Sequence, residues 1–159
     1  FHSTPSVAEA KQVFAMRLML QPAMTRTSAR QVKPAQIKAL KAHITAEKKA
    51  MDRNDVGQRT ELLGDFHVVM AELMGNAVLA QMLGDLISRC ALITLMYQST
   101  SAAEHSHEEH EAIVLALANK DEDTAVRLMQ EHLQHVEEGL TFDRDMPTSD
   151  LSMALSSVS

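Results

Sequence analysis

One cysteine, no tryptophan, one tyrosine and four phenylalanines are all that 159 residues contain of these types. The single thiol, Cys90, excludes an internal disulfide framework and fits a reducing compartment such as the cytoplasm. Five glycines and four prolines are too few for a fibrous chain, and 45% hydrophobic residues are too many for a disordered one. Runs of β-branched residues long enough for strands are missing. Positive charge is scarce too: 15 Lys and Arg face 21 Asp and Glu, for a net charge of −6. That balance argues against this chain gripping nucleic acid by itself, since phosphate neutralisation dominates such binding. Nothing near the N-terminus reads as a signal peptide. The longest apolar stretch, AVLAQMLGDLISRCALITLMY at 77–97, is broken by Gln81, Asp85 and Arg89, so it reads as a buried helix and not as a membrane span.

What is plentiful is Leu, Ala, Glu, Lys and eleven methionines, a composition that favours helix. The expected class is all-α: one antiparallel bundle of about six main helices over 6–142, holding a ligand cavity. A chain of this length can bury about two-thirds of its unfolded surface as one domain. The first helix, about 6–30, puts Val13, Phe14, Arg17, Leu20, Gln21 and Met24 on one face. Pro34 suits the first turn of the second, whose stripe is Ile37, Leu40, Ile44 and Met51. A third, after 53–55, carries Leu62, Leu63, Phe66, Val69, Met70, Leu73 and Met74, with Gly75 as its stop. Asn76 reads as the N-cap of a fourth helix running to Tyr97. SHEE at 106–109 has capping-box form and predicts Ser106 as the N-cap of a fifth, to about Lys120. A sixth starts in DEDT at 121–124 and ends near Phe142. The Ser-rich tail 143–159 receives no assignment.

Five of the eight histidines fall between 104 and 136. His67 lies four residues after Leu63 and three before Met70, on the apolar face of its helix. His110 precedes Ile113 and Val114 by three and four, and His132 lies between Met129 and Val136, so both also point inward. His105 and His107 sit at an expected loop end, His135 at the edge of its stripe, and His2 and His43 in no such context. Each inward ring is either a core residue with a hydrogen-bond partner or one ligand of a shared metal, zinc or nickel being the usual partners of neutral imidazole. Arg17 and Arg89 share apolar stripes as well. Each is either an internal ion pair, with Asp85 four residues from Arg89, or a clamp for a ligand carboxylate. Asn76 is likewise a cap or a ligand contact. The methionines fill core, or line an adaptable pocket.

Three segments, MRLMLQPAM at 16–24, GDFHVVMAELMGN at 64–76 and EEHEAIVLALANKDEDTAVRLMQEHL at 108–133, resemble the FCD effector-binding domain of GntR-family bacterial transcription regulators. The likeness extends over about residues 6–140. Its most specific element is the ordered set of Phe-His with an Asn nine residues on, then Glu-His, then His-Leu 22 residues after the second histidine. The resemblance implies a helical bundle that forms a homodimer and holds a divalent metal at the floor of a cavity for small organic acids. By position, the metal ligands are His67, His110 and His132. The family's aspartate ligand, four residues before the first histidine, falls on Leu63, which cannot ligate; Asp65 is near but on another side of an ideal helix. Ligand contacts fall on Arg17, and by weaker arguments on Arg89 and Asn76, while an acidic position four after Arg17 is here Gln21. Residues 1–5 look like the end of a linker from a winged helix-turn-helix domain, which would contact operator DNA.

The expected role is therefore sensing, without catalysis. A three-histidine metal site could also activate water for hydrolysis, but that needs a general base, and helical spacing turns Glu108 and Glu109 away from the face of His110. A metal-free dimerisation bundle is the third reading, favoured by Leu63.

Overall fold

A computed structural model describes residues 7–140; residues 1–5 with His2, the helix end near Phe142 and the tail 143–159 lie outside the described residues. Among the described residues there are seven helices and no strand: α1 Val7–Gln31, α2 Pro34–Asp52, α3 Val56–Leu73, α4 Ala77–Arg89, α5 Ala91–Tyr97, α6 Thr100–Ala118 and α7 Glu122–Gly139. The all-α bundle expected from composition is the fold.

Three corners share one device. Helices α2, α3 and α6 each end on a residue in the left-handed region: Asn54 at φ 54°, Gly75 at φ 82° and Lys120 at φ 53°. The following residue bonds back to the last turn, as Asp55 N to Ala50 O, Asn76 N to Ala71 O and Asp121 N to Ala116 O. That same residue then caps the next helix with its side chain, accepting from Gln58, Leu79 and Thr124 respectively. The expected Gly75 stop and Asn76 cap are one of these three corners.

Two expectations fail. The segment 77–97 is not one helix: it breaks at Cys90, and α4 and α5 meet at a bend of 47°. Neither glycine nor proline marks the break. The bend lays α5 against α3 and buries Ile93, so packing overrides a locally continuous helical pattern. Among the described residues no single helix is long and apolar enough to cross a membrane, although this bent pair passes the same test jointly. Nor is Ser106 an N-cap. Ser99 is, accepting from Ala102 N at 3.0 Å, and Ser106 lies buried two turns inside α6. The S-x-x-E pattern is degenerate, and the polar stretch that seemed to end one helix in fact begins another.

α1 packs chiefly on α7, α3 lies between α2 and α4, and α6 between α2 and α7. The shared core holds Phe14, Phe66, Met70, Leu83, Ile113, Leu117, Met129, Leu133 and Leu140, all essentially inaccessible to solvent. Each such side chain contributes about 1.5–3 kcal/mol. Surface ion pairs such as Arg30 with Glu122, which tie α1 to the start of α7, add at most about 1 kcal/mol each. Burial decides the fold. Gly64 lets α3 approach α4 closely, since a Cβ there would stand 2.7 Å from Ile87 Cγ2.

Candidate metal and anion site

Helices α3, α6 and α7 each send one imidazole to a common point. His67, His110 and His132 are 2%, 0% and 1% exposed, and each offers a ring nitrogen within 4.8 Å of the others. Nε2 of His132 stands 3.1 Å from Nε2 of His110 and 3.3 Å from Nε2 of His67. Phe66 stacks flat on His110, with ring centroids 3.9 Å apart and planes 10° from parallel, which fixes that ring. The inward positions read from helical periodicity thus converge in space.

The other face of each ring has its own partner. His110 Nδ1–H donates to Glu47 Oε2 at 2.8 Å, and His107 Nδ1–H to Glu47 Oε1 at 2.9 Å. His132 Nδ1–H donates to Glu109 Oε1 at 2.8 Å, while His135 holds the other oxygen of Glu109. His67 Nδ1 faces the Gln21 amide nitrogen at 2.8 Å. Burial pushes the Glu47 carboxyl up, but His110, His107 and His43 more than reverse this and leave it below the ordinary glutamate range. Glu109 shows the same balance, with His132 and His135 holding it down against burial. Burial lowers His67 well below the ordinary histidine value, reinforced by Arg17 and the neighbouring rings. It lowers His132 to about 4 despite Glu109.

Glu47 is the residue that sequence reasoning missed. It lies on a helix full of lysines, yet it falls three residues after Ile44 and seven after Leu40, on the buried stripe. A carboxylate in that phase was the available signal. His107, expected at a loop end, is buried on α6 because that helix starts earlier, and its pKa rises through its bond to Glu47. His43 is half-buried and bonds the Leu62 carbonyl at 2.8 Å; His105 is exposed. Glu109 was expected to face away from His110, and no partner on another helix was assigned to it. It reaches across to α7, where His132 and His135 engage its two oxygens.

A cavity of about 510 Å³ opens beside the cluster, lined by Phe14, Arg17, His67 and His132 with residues of α3, α4 and α5. Leu63 lines it one turn before His67 and offers no ligand atom, and Asp65 lies exposed at its edge. Arg17 is 6% exposed and faces this space; burial lowers its pKa to about 10. Its Nε–H donates to Gln21 Oε1 at 2.7 Å, and its guanidinium lies over the Phe14 ring. Among the described residues no carboxylate forms an ion pair with it.

Arg89 and Asn76, the other expected ligand contacts, are not brought to the cavity. Arg89 is exposed on the solvent side of α4 and pairs with Asp85 at 3.1 Å and Glu9 at 3.6 Å. Asn76 is exposed and spends its side-chain oxygen on Leu79 N at 2.9 Å. Asn76→Ala is accordingly expected to cost about 1 kcal/mol of stability in chemical denaturation and to leave ligand affinity unchanged. A tenfold weaker ligand titration would restore the contact reading.

The donor set suits a divalent ion. With Nδ1–H of His110 and His132 committed to carboxylates, both direct an Nε2 lone pair inward. Two lone pairs 3.1 Å apart repel unless a proton or a cation lies between them.

Fold and site together define an all-α bundle with a cavity walled by Arg17 beside a buried cluster of three imidazoles. The FCD domain model matches residues 12–135. Similar proteins include the HTH-type transcriptional repressor NanR of Citrobacter rodentium, 29% identical over 124 residues, and that of Escherichia coli K12, 30% identical over 126. Both alignments take in 76% of this chain but only 47% and 46% of those proteins, so the chain spans about half the length of these curated relatives. The structure of Streptococcus agalactiae GntR shares the fold, with a TM-score of 0.72 at 21% identity over 82% of this chain and 59% of that one. The chain belongs to the FCD domain family, the helical effector-binding domain of GntR-family transcription regulators.

Proposed function

We propose that the chain is a sensor for a small organic acid, whose carboxylate is taken up between Arg17 and a divalent cation, zinc or nickel, held by the inward histidines. The observation that carries this reading is Arg17. A buried guanidinium with no carboxylate partner among the described residues is costly in a cavity wall, and a bound anion would complete it. The cation would polarise and anchor the acid. His110 and His132 offer it bare Nε2 atoms with His67 beside them, and Leu63 leaves a coordination position to solvent or to the acid.

No turnover is part of this role, since both oxygens of Glu109 are committed to histidines and it is no free base. In the longer protein the domain would form a homodimer in the cytoplasm. Acid binding would then bias how a partner helix-turn-helix domain meets operator DNA, a role supported by the similarity to HTH-type transcriptional repressors. Coupling of ~1–3 kcal/mol would suffice, provided the acid binds the two arrangements unequally.

The test is metal content by mass spectrometry, followed by calorimetric titration of a panel of small mono- and dicarboxylates. Near-stoichiometric metal, and a carboxylate whose affinity collapses after chelation, are expected. A metal-free protein that binds no carboxylate would sink the reading.

A further inference from the structure

Gln21 is constrained more tightly than its neutral side chain requires. It is fully buried, and its amide is wedged between Arg17, His67 and Met129. An arginine has only donors, so the amide atom that receives Arg17 Nε–H at 2.7 Å is the oxygen. The amide nitrogen therefore faces His67 Nδ1 at 2.8 Å and Met129 Sδ at 3.5 Å, and its two hydrogens match these two acceptors. Turned over, the group would set N–H against N–H at Arg17 and oxygen against sulfur at Met129. Both neighbours choose the same orientation.

An N–H aimed at Nδ1 requires a lone pair there. A charged imidazolium carries a proton on both nitrogens, so this contact selects a neutral ring. A neutral imidazole with a bare Nδ1 carries its proton on Nε2, the nitrogen that faces the cluster 3.3 Å from His132 Nε2. The other two rings are arranged the opposite way. Glu47 and Glu109 accept their Nδ1–H groups, so their Nε2 atoms are bare. A protonated Nε2 cannot ligate a cation; it can donate to an anion.

We propose that Gln21 removes His67 from the metal ligand set, making it an Nε2–H donor to the bound carboxylate and leaving the cation to His110 and His132. This rests on the reading of the cavity as a seat for a cation and an acid. In the ligand-free cavity the same proton points at the His132 lone pair. Gln21 is then a positioning residue that acts through two others: it orients Arg17 and fixes the tautomer of His67. A glutamate in its place would do the reverse on both counts, accepting a proton from His67 Nδ1 and pairing with Arg17.

Two measurements test this. Long-range proton–nitrogen NMR of the metal-free protein, with ring signals assigned through His67→Gln, should show His67 as the Nε2–H tautomer and His110 and His132 as Nδ1–H. An Nδ1–H tautomer at His67 would overturn the proposal. In parallel, zinc affinity is measured by competition with a chromophoric chelator for the parent and for Gln21→Glu. The variant should switch the His67 tautomer and bind zinc about 10–100-fold more tightly, the usual weight of a ligand's outer partner. A switched tautomer with unchanged zinc affinity would also overturn it. If neither protein binds zinc, the metal part of the functional reading fails, and the tautomer spectrum alone still decides whether Gln21 makes His67 a donor.

Discussion

Arg17→Met is expected to raise the stability of the ligand-free protein while weakening carboxylate binding at least tenfold. Burial lowers the Arg17 pKa from its ordinary value to about 10, on the order of 3 kcal/mol of penalty on its charged form. The folded state disfavours the proton, so the penalty is present in full below about pH 10 and fades only above it, toward the ordinary arginine value. The bond to Gln21 and the Phe14 ring beneath it offset part, leaving a net gain on the order of 1–2 kcal/mol when an apolar chain of similar length replaces it. Binding moves the other way. Hydrogen bonds to a charged partner contribute about 1.5–3 kcal/mol, or roughly 10–100-fold in affinity. Urea unfolding and calorimetry on the same two proteins read both effects. A variant that loses stability and keeps its carboxylate affinity would show that Arg17 is a structural residue only.

Glu47→Ala should be the most damaging single change in the polar interior. Its carboxylate, which is inaccessible to solvent, accepts from His110 and His107 and lies 3.7 Å from His43 Nε2. Truncation would strand two buried N–H donors, each costing about 1–3 kcal/mol, and add a cavity. A loss of about 3–5 kcal/mol is expected, with metal affinity falling about 10–100-fold as His110 loses its tautomer and its aim. Glu47→Gln keeps the shape and one acceptor, and should lose less stability. Because the folded-state pKa of Glu47 lies below its ordinary value, its contribution is present above pH 4.5 and lost as pH falls through the lowered value. The stability of Glu47→Gln should thus be less steep in acid than that of the parent. Parallel acid limbs would show that Glu47 is no charged partner of these histidines.

Much of this was legible beforehand. Composition left helix as the only class, and the i, i+3, i+4 rhythm set the inward faces. The same rhythm selected His67, His110 and His132, placed Arg17 and Gln21 on one face, and marked the Gly75–Asn76 corner. Those features are local: one turn of helix determines which side chains share a face, and a left-handed residue determines where a helix stops. Arg89 shows the limit. It shares a phase with Met82 and Leu86, but Met82 is 42% exposed, so the stripe straddles the boundary of the core. Nothing within the helix says so.

What only the tertiary structure decided is where phase restarts and what lies opposite. Packing of α5 on α3 broke a continuous pattern at Cys90, and the early start of α6 turned His107 toward Glu47 on α2. Glu109 meets His132 across 23 positions, and Gln21 meets His67 across 46. A carboxylate or an amide acquires its role from the group it faces, and periodicity along one helix carries no information about the helix on the other side.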